Sequence, residues 1–434
     1  MPLTALGVWV QVPTGGSRRA AARREPASPR PPVVVPIRCD AGADGHSPDG
    51  RGRSDDARLS RLPRGRKGTA VRDAELMARA LTLAEGARRR TPPNPWVGCV
   101  LVADGVVVGE GATHPPGGAH AEAEAVAAAG PRAAGATAYV TLEPCAHQGR
   151  TGPCVDALLG AGVARVVVAL EDPDPQVGGR GVAALRAAGV AVDVGIGADA
   201  ARRSLAPYLH QRRSGRAFCV AKTAGSVDGR SAAPDSTSQW ITGPAARADA
   251  HELRADSQAV VVGAGTAIAD QPALTVRDAE APPTPPLRVL LDARGRVPAT
   301  GPLFDAQLAP TLVVTTAAAP TDATDDWRAH GAKVETVDAS PTGVDLDETL
   351  TLLARHGVLQ ALVEGGAGLH GALWRARLID RLVVYLGATL LGNEARALVD
   401  APGPTTMSDS DHWTLHDVAV FDDDVRLTYE PARS

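Results

Sequence analysis

The chain has 434 residues and a formal net charge of −4, with 44% apolar and 22% charged residues, the mixture of an ordinary globular protein. This length predicts two or three domains. The charge gives no reason to expect a polyanionic partner, and 3% aromatic residues leave few stacking platforms for single-stranded nucleic acid. No stretch approaches the roughly 18 consecutive apolar residues of a membrane span. We therefore expect neither nucleic acid nor a membrane as a partner.

The five cysteines are few for this length, and their odd number is unlike the disulfide framework of a small secreted domain. We therefore expect a cytoplasmic protein. Residues 1–70 differ from the rest, with 13 Lys and Arg against 6 Asp and Glu and many Pro, Gly and Ser. Such a composition buries too little apolar surface to offset its ordering entropy. We predict a disordered tail over 1–70, or a start codon assigned too far upstream.

Helix and strand patterns alternate from residue 71 to residue 210. They predict helices over 73–89, 120–129, 154–160 and 181–188, and strands over 97–102, 106–109, 136–142, 165–170 and 190–194. Asp104-Gly105, between the first two strands, is a hairpin signal. This alternation predicts a layered α/β domain with a mostly parallel sheet. We interpret residues 207–215 as the linker to a second domain.

A second alternating series fills residues 216–432. It predicts strands over 218–224, 259–263, 287–291, 311–315, 359–363 and 381–386, and helices over 243–254, 344–356 and 368–376. The series therefore indicates a second α/β domain.

The first half contains three candidate metal ligands, His120, Cys145 and Cys154. One imidazole and two thiolates suit Zn²⁺, and three protein ligands leave a fourth position for a water whose pKa zinc lowers. Glu122 is placed to carry a proton from that water to departing ammonia, as in zinc nucleobase deaminases. An isolated His or Cys is more often a packing residue. However, H-A-E followed by P-C and a further Cys is much rarer by chance.

The spacing of the two cysteines departs from the common deaminase pattern, because eight residues separate them instead of two. This insert carries His147 and Arg150, which are suited to phosphate. Four runs resemble the deaminase half of the bifunctional riboflavin-biosynthesis deaminase–reductase family: P-N-P-W-V-G-C at 93–99, H-A-E at 120–122, T-L-E-P-C-A-H-Q-G-R-T-G-P-C at 141–154 and D-P-D-P-Q-V-G-G-R-G at 172–181. The long insert between the cysteines is part of that family's pattern. That family removes the 2-amino group of a diaminopyrimidinone carrying a ribosylamino 5′-phosphate.

The resemblance also implies roles for single residues. It places zinc on His120, Cys145 and Cys154, with Glu122 as proton shuttle. Substrate contacts are implied for Asn94, His147, Arg150, Asp172 and Asp174. An alternative for Asn94 and Asp172 is turn formation beside proline, and Asp174 stands where the family often has Asn. Cys99 and Cys219 are expected to be packing residues.

The second half carries a glycine-rich turn, Glu364-Gly365-Gly366-Ala367-Gly368, between a predicted strand and a predicted helix. Glycines let the backbone approach a pyrophosphate, and N–H groups at a helix start attract it, although a plain strand–turn–helix junction has the same pattern. Four segments resemble the reductase half of the same family: this glycine-rich turn, the run A-K-T-A-G-S-V-D-G-R at 221–230, the run S-Q-W-I-T at 238–242, and the segment 256–277. That half is similar to dihydrofolate reductase in fold and binds NADPH. The combined resemblance covers roughly residues 72–430.

By this resemblance, hydride passes from NADPH to C1 of the opened sugar, and a ribosyl chain becomes ribityl. Cofactor contacts are implied for Ala224, Trp240, Thr266, Asp270, Gly365, Gly366, Ala367 and Gly368. Substrate contacts are implied for Ser238, Arg254, Leu274, Arg277 and Glu364, and the alternative for each arginine is a solvated surface charge. Lys222 and Asp270 are candidate proton donors. Thr315-Thr316 is a candidate pocket for the 2′-phosphate.

These patterns predict a cytidine-deaminase-like three-layer α/β/α domain over 71–210 and a dihydrofolate-reductase-like α/β domain over 216–432. The expected protein is a bifunctional zinc- and NADPH-dependent enzyme that acts on phosphorylated pyrimidines and forms a homo-oligomer. One alternative is a nucleoside or tRNA deaminase with an unrelated C-terminal domain. Another is a non-enzymatic zinc protein that binds nucleic acid through its basic tail. The reductase-like motifs, and Glu122 beside an open zinc position, favour the bifunctional enzyme.

Overall fold

The computed structural model describes Val33–Val34, residues 65–149 and residues 152–432. Val33–Val34 form strand β1, which pairs antiparallel with Ala419 and Val420. Helix α1 spans Gly65–Ala87, so regular structure begins before residue 71, where the first domain was expected to start. The rest of the predicted disordered tail lies outside the described residues.

The first sheet has the strand order β3-β2-β4-β5-β6. Its strands are β2 (Gly98–Ala103), β3 (Val106–Ala112), β4 (Thr137–Val140), β5 (Arg165–Val168) and β6 (Ala191–Val194). The helices that follow α1 are α2 (Ala121–Ala129), α3 (Cys154–Gly160), α4 (Arg180–Ala187) and α5 (Ala198–Ser204).

The prediction of a mostly parallel first sheet is wrong. β2 pairs antiparallel with both β3 and β4, while β4, β5 and β6 pair parallel. The β2–β3 hairpin turns at Asp104 and Gly105, whose φ angles of 49° and 80° suit the tight turn that their sequence predicted. The hairpin makes β2 and β3 antiparallel. β4 lies on the other side of β2 and is also antiparallel to it, so the parallel part of the sheet is β4, β5 and β6.

The segment interpreted as a linker, 207–215, forms helix α6 (Ala206–Ser214). Pro207 lies in its first turn, where a missing N–H costs no hydrogen bond, and Gly215 caps it with a φ of 74°. Tyr208 packs in the core of the first domain, whereas the ring of His210 contacts that of Phe218 edge-on, with 5.6 Å between the ring centroids. The two halves are therefore joined by a packed helix.

The second sheet has the order β1-β18-β19-β16-β7-β15-β9-β10-β11-β12. Its other strands are β7 (Phe218–Ser226), β9 (Ala259–Gly263), β10 (Leu287–Leu291), β11 (Thr311–Thr315), β12 (Lys333–Thr336), β15 (Gln360–Val363), β16 (Arg381–Gly387), β18 (Trp413–Phe421) and β19 (Asp424–Pro431). Two short pairs accompany it, β8 (Arg230–Ala232) with β17 (Arg396–Ala397) and β13 (Ala339–Ser340) with β14 (Gly343–Val344). Its helices are α7 (Pro244–Ala255), α8 (Ala264–Asp270), α9 (Thr321–Ala329), α10 (Leu346–Arg355) and α11 (Ala367–Arg375).

The strands from β16 to β12 run parallel, and the antiparallel β18–β19 pair extends one edge. Apolar residues fill both faces of the parallel strands, as in sheets covered on both sides. The carboxyl ends of β7, β15, β9 and β10 meet at one edge, where ligands bind in such sheets. Within the described part of the chain, no helix is both long and apolar enough to traverse a bilayer.

Candidate active sites

The three candidate zinc ligands meet in the first domain. His120 precedes α2, Cys145 lies in the loop between β4 and α3, and Cys154 begins α3. Nδ1 of His120 lies 3.1 Å from Sγ of Cys154 and 3.6 Å from Sγ of Cys145, and the two sulfurs are 3.4 Å apart. Residues distant in sequence thus present three donor atoms to one point, as predicted.

This donor set fits zinc. One imidazole nitrogen and two sulfurs are ligands that zinc prefers, and three protein ligands leave a position open for catalysis. Hydrogen bonds from Cys154 and His120 to the Cys145 sulfur lower the pKa of Cys145, which favours the thiolate that binds metal. Within the described ranges, these residues are the one His, Cys, Asp or Glu cluster of this kind.

Two close backbone approaches set the ligand positions. A Cβ at Gly111 would lie 2.3 Å from the carbonyl oxygen of Ala121, so glycine lets α2 pack against β3. A Cβ at Gly181 would lie 1.9 Å from the carbonyl oxygen of Pro144, so α4 packs against the Cys145 loop for the same reason. The buried Glu143 accepts hydrogen bonds from the N–H groups of three residues, Asp172, Gly179 and Val182, and so fastens this loop. The sequence reasoning missed Glu143, although it stands directly before the P-C pair.

Glu122 lies in the first turn of α2 and is only 3% exposed. Burial raises the pKa of its carboxyl. Beside His120 is a cavity of about 620 Å³, whose lining includes Gln148 and Asp156. A buried carboxyl thus lies two residues after one of the three ligands, and a space large enough for a small molecule lies beside that same ligand.

The other predicted deaminase contacts are placed differently. Asp172 is buried and accepts a hydrogen bond of 3.0 Å from the hydroxyl of Tyr208. Asp174 pairs with Arg212 at 3.2 Å, while Asn94 is partly buried and His147 is exposed. None of these four predicted contacts is among the described residues that line the 620 Å³ cavity. Arg150 lies outside the described residues.

The second domain contains a cavity of about 920 Å³ at the carboxyl ends of its parallel strands. The structure brings ten of the predicted residues to its lining: Lys222, Ala224, Ser238, Thr266, Asp270, Glu364, Gly365, Gly366, Ala367 and Gly368. Gly366 caps α11 in an extended conformation, and a Cβ at Gly368 would meet nothing within 4 Å. Helix α11 thus directs open N–H groups at the cavity, which fits the pyrophosphate of NADPH.

Other predicted reductase residues lie away from this lining. Trp240 is 67% exposed, and the Arg247 guanidinium lies 4.2 Å from its ring centroid. Leu274 is buried and Arg277 exposed. Arg254 forms two hydrogen bonds to the carboxylate of Glu364, at 2.6 and 2.9 Å.

The expected 2′-phosphate pocket at Thr315-Thr316 is wrong. Both residues are buried, and their hydroxyls donate to the carbonyl oxygens of Asp292 and Ala293 at 2.7 and 2.8 Å. These hydroxyls therefore hold two strand ends together and do not line the cavity.

Several charged side chains lie at the end of the cavity that β7 and β15 form. Burial lowers the pKa of Lys222. Burial works against ionisation of Glu364 too, but the charges of Arg254 and Lys222 outweigh it and hold the pKa of Glu364 at about 2. The sequence reasoning missed three arginines that line this cavity, namely Arg294, Arg296 and Arg396. No local sequence pattern marks these arginines, two in the loop after β10 and one on β17, as ligands of a phosphate.

Comparison with known proteins covers both domains. Residues 71–170 match the family described as "Cytidine and deoxycytidylate deaminase zinc-binding region", and residues 217–427 match "RibD C-terminal domain". The riboflavin biosynthesis protein RibD of Chlamydia pneumoniae is 42% identical over 82% of this chain and 94% of its own length.

Solved structures agree with these matches. The structure of Acinetobacter baumannii RibD is 38% identical with a TM-score of 0.75, and covers 84% of this chain and all (100%) of its own. That of the Thermotoga maritima diaminohydroxyphosphoribosylaminopyrimidine deaminase/5-amino-6-(5-phosphoribosylamino)uracil reductase is 29% identical with a TM-score of 0.74 and the same coverage.

These matches confirm the predicted fold classes and both predicted cofactors, and exclude an unrelated C-terminal domain. The chain therefore belongs to the RibD family of riboflavin biosynthesis proteins, and joins a zinc-dependent deaminase to an NADPH-dependent reductase.

Proposed function

We propose that this chain removes the 2-amino group of 2,5-diamino-6-(5-phosphoribosylamino)pyrimidin-4-one and then reduces the ribosyl group of the product, 5-amino-6-(5-phosphoribosylamino)uracil, to ribityl. The supporting observation is the convergence of His120, Cys145 and Cys154 near the buried Glu122, on a chain whose second domain has a glycine-bordered cavity. The Thermotoga maritima relative is named for these two activities.

Deamination exchanges a C–N bond for a C–O bond. The oxygen of water attacks C2 of the pyrimidine, and the 2-amino group leaves as ammonia. Zinc, when bound by His120, Cys145 and Cys154, acts as a Lewis acid that lowers the pKa of water. Glu122 takes the proton from the attacking water and delivers it to the departing nitrogen. Its burial keeps bulk solvent from competing for that proton.

Reduction adds one hydride and one proton across the C1=N bond of the opened ribosylamine. NADPH supplies the hydride when bound. The backbone N–H groups at the start of α11 would hold its pyrophosphate, and Ala224, Thr266 and Asp270 would face the rest of the cofactor. Ser238 and Glu364 face the substrate, and either Lys222 or Asp270 donates the proton.

The domain limits and the remaining contacts belong to the same proposal. We assign the deaminase unit to 71–210 and the reductase unit to 216–432. Asn94, His147, Arg150 and Asp172 stay predicted contacts of the first substrate, as Arg254, Leu274 and Arg277 do of the second, and Trp240 of NADPH. A cytoplasmic homo-oligomer without nucleic-acid or membrane partners stays a prediction.

The test is to incubate the purified zinc-loaded protein with the diaminopyrimidinone ribosylamino phosphate and NADPH, and to record ammonia and NADPH oxidation together. Ammonia should appear first, and NADPH oxidation should follow after a lag. Without NADPH, ammonia release should continue and the uracil product should accumulate. Faster ammonia release from cytidine, or NADPH oxidation without ammonia release, would refute the proposal.

A further inference from the structure

The cavity of the second domain follows the order of the parallel strands. Lys222 lies on β7, Glu364 follows β15, and Gly263 ends β9. Arg294 lies beyond β10, and all four residues line the cavity. The strands are neighbours in the order β7-β15-β9-β10, with about 4.8 Å between adjacent strands. A dinucleotide with its pyrophosphate at α11, beyond β15, would therefore extend to β7 in one direction and to β10 in the other.

The two ends of the cavity differ in how their charged side chains are paired. At β7, Arg254 is paired with Glu364, whose carboxylate oxygen lies 2.6 Å from its Nε. At β10, Arg294 and Arg296 are exposed and line the cavity. Among the described residues, neither of these guanidinium groups donates a hydrogen bond, and the carboxylate contact found is Asp292, 3.9 Å from Nε of Arg296. A phosphate dianion is therefore favoured at the β10 end.

The loop that carries the two arginines is held in shape from below. The carboxylate of Asp292, 1% exposed, accepts hydrogen bonds from the backbone N–H groups of Arg294, Arg296 and Val297, at 3.2, 2.6 and 2.7 Å. Gly295, between the arginines, has a φ of 70°, a conformation that favours glycine. The buried carboxylate thus fixes the backbone, so that both side chains face the cavity without further ordering of the loop.

We propose, on the basis of the proposed binding of NADPH in this cavity, that Arg294 and Arg296 bind the 2′-phosphate of the cofactor and select NADPH over NADH. A guanidinium group offers phosphate a planar pair of N–H donors, and two adjacent groups match its double charge. Thr342, in the turn between β13 and β14, lines the same cavity and adds a hydroxyl. This pair replaces Thr315-Thr316 as the determinant of cofactor choice.

The test is isothermal titration of the full-length zinc-loaded protein with 2′,5′-ADP and, separately, with ADP. The double variant Arg294→Ala, Arg296→Ala should lose affinity for 2′,5′-ADP by about tenfold to hundredfold, the effect of losing hydrogen bonds to a charged group. Its affinity for ADP should not change. In assays the KM for NADPH should rise while that for NADH stays constant. Arg328→Ala, an exposed arginine on α9 paired with Asp325, is the matched control and should change neither affinity.

Two other results would overturn this assignment. One is an unchanged 2′,5′-ADP affinity in the double variant. The other is a loss of that affinity in Arg396→Ala alone, since Arg396 lies on β17 in the same cavity. Failure of the proposed cavity itself differs, because the wild-type protein would then bind neither nucleotide. Thermal unfolding of each variant at the wild-type temperature verifies that it is folded.

Discussion

At the scale of single residues, the first site depends on one carboxyl that does not bind metal. Glu122 is 3% exposed and lies in the first turn of α2, two residues after the zinc ligand His120. Glu124, two positions further, has a different task. Its carboxylate accepts a 2.6 Å hydrogen bond from the N–H of Ala112 and pairs with His114 at 3.0 Å, so it fastens α2 to the end of β3.

The exchange Glu122→Gln tests the proton shuttle. Glutamine keeps the shape of the side chain but cannot take up and release the proton, so we expect ammonia release to fall about 100- to 10,000-fold. Zinc content by elemental analysis and NADPH oxidation with the uracil product should stay at wild-type levels. Glu124→Gln, the same change on the same helix, should retain ammonia release within about tenfold, as expected for a group outside the chemistry. Undiminished turnover by Glu122→Gln would remove Glu122 from the mechanism.

At the scale of elements, one ion pair joins α7 to the end of β15. Arg254 and Glu364 are largely buried and meet through two hydrogen bonds, and Arg254 donates a third to the carbonyl oxygen of Thr275 at 2.8 Å. Removing one partner of a buried pair leaves the other charge uncompensated. This pair therefore holds the helix against the sheet beside the cavity that Glu364 lines.

The pH dependence of stability tests this pair. The pKa of Glu364 is held at about 2 in the folded state, against 4.5 for an unperturbed glutamate. A lowered pKa means that the carboxylate stabilises the fold above pH 4.5, and that this contribution is lost as the pH falls toward 2. The contribution amounts to about 3 kcal/mol. The difference in unfolding free energy between wild type and Glu364→Gln should therefore shrink by that amount, as measured by urea denaturation across this range.

The control for this measurement is Glu280→Gln, which changes an exposed carboxylate in the same way. Its difference from wild type should stay constant between pH 4.5 and pH 2. A constant difference for Glu364→Gln as well would show that the ion pair does not stabilise the folded state.

At the scale of the whole molecule, the two domains are held together by more than helix α6. Arg89, just after α1, contacts Glu252 and Asp256 of the second domain at 2.5 and 2.7 Å. Arg88 donates a hydrogen bond of 3.3 Å to Gln360 on β15. These contacts between the two domains lie at the end of α1, downstream of residue 64.

Removal of residues 1–64 should leave both activities and the zinc content unchanged. The matched families begin at residue 71, and the Chlamydia pneumoniae relative aligns over 94% of its length with only 82% of this chain. The control deletion, residues 1–76, also removes Asp73, which binds the hydroxyl of Tyr139 at 2.6 Å and Arg165 at 2.8 Å. That deletion should lower the melting temperature. Loss of either activity in the shorter deletion would show that the tail contributes to function.

The sequence by itself determined the chemistry of the first site and the class of both domains. The metal ligands were recognisable from the H-A-E run, the P-C pair and the following cysteine, because imidazole and thiolate are residue types that bind zinc. Apolar periodicity predicts strands and helices because it reflects which faces are buried. The glycine run after β15 was recognisable for the same local reason, since a backbone that must approach a phosphate needs glycine.

Only the tertiary structure decided which distant groups meet. The antiparallel pairing of β2 with β4, the burial of the Thr315 and Thr316 hydroxyls, and the position of Arg294 and Arg296 beyond β10 all depend on strand order. Strand order is set by packing between segments far apart in the chain, which leaves no fixed spacing in sequence. From sequence alone, an arginine in a loop is interpreted as a solvated surface charge, and only the position of that loop at the sheet edge shows that the arginine lines a cavity.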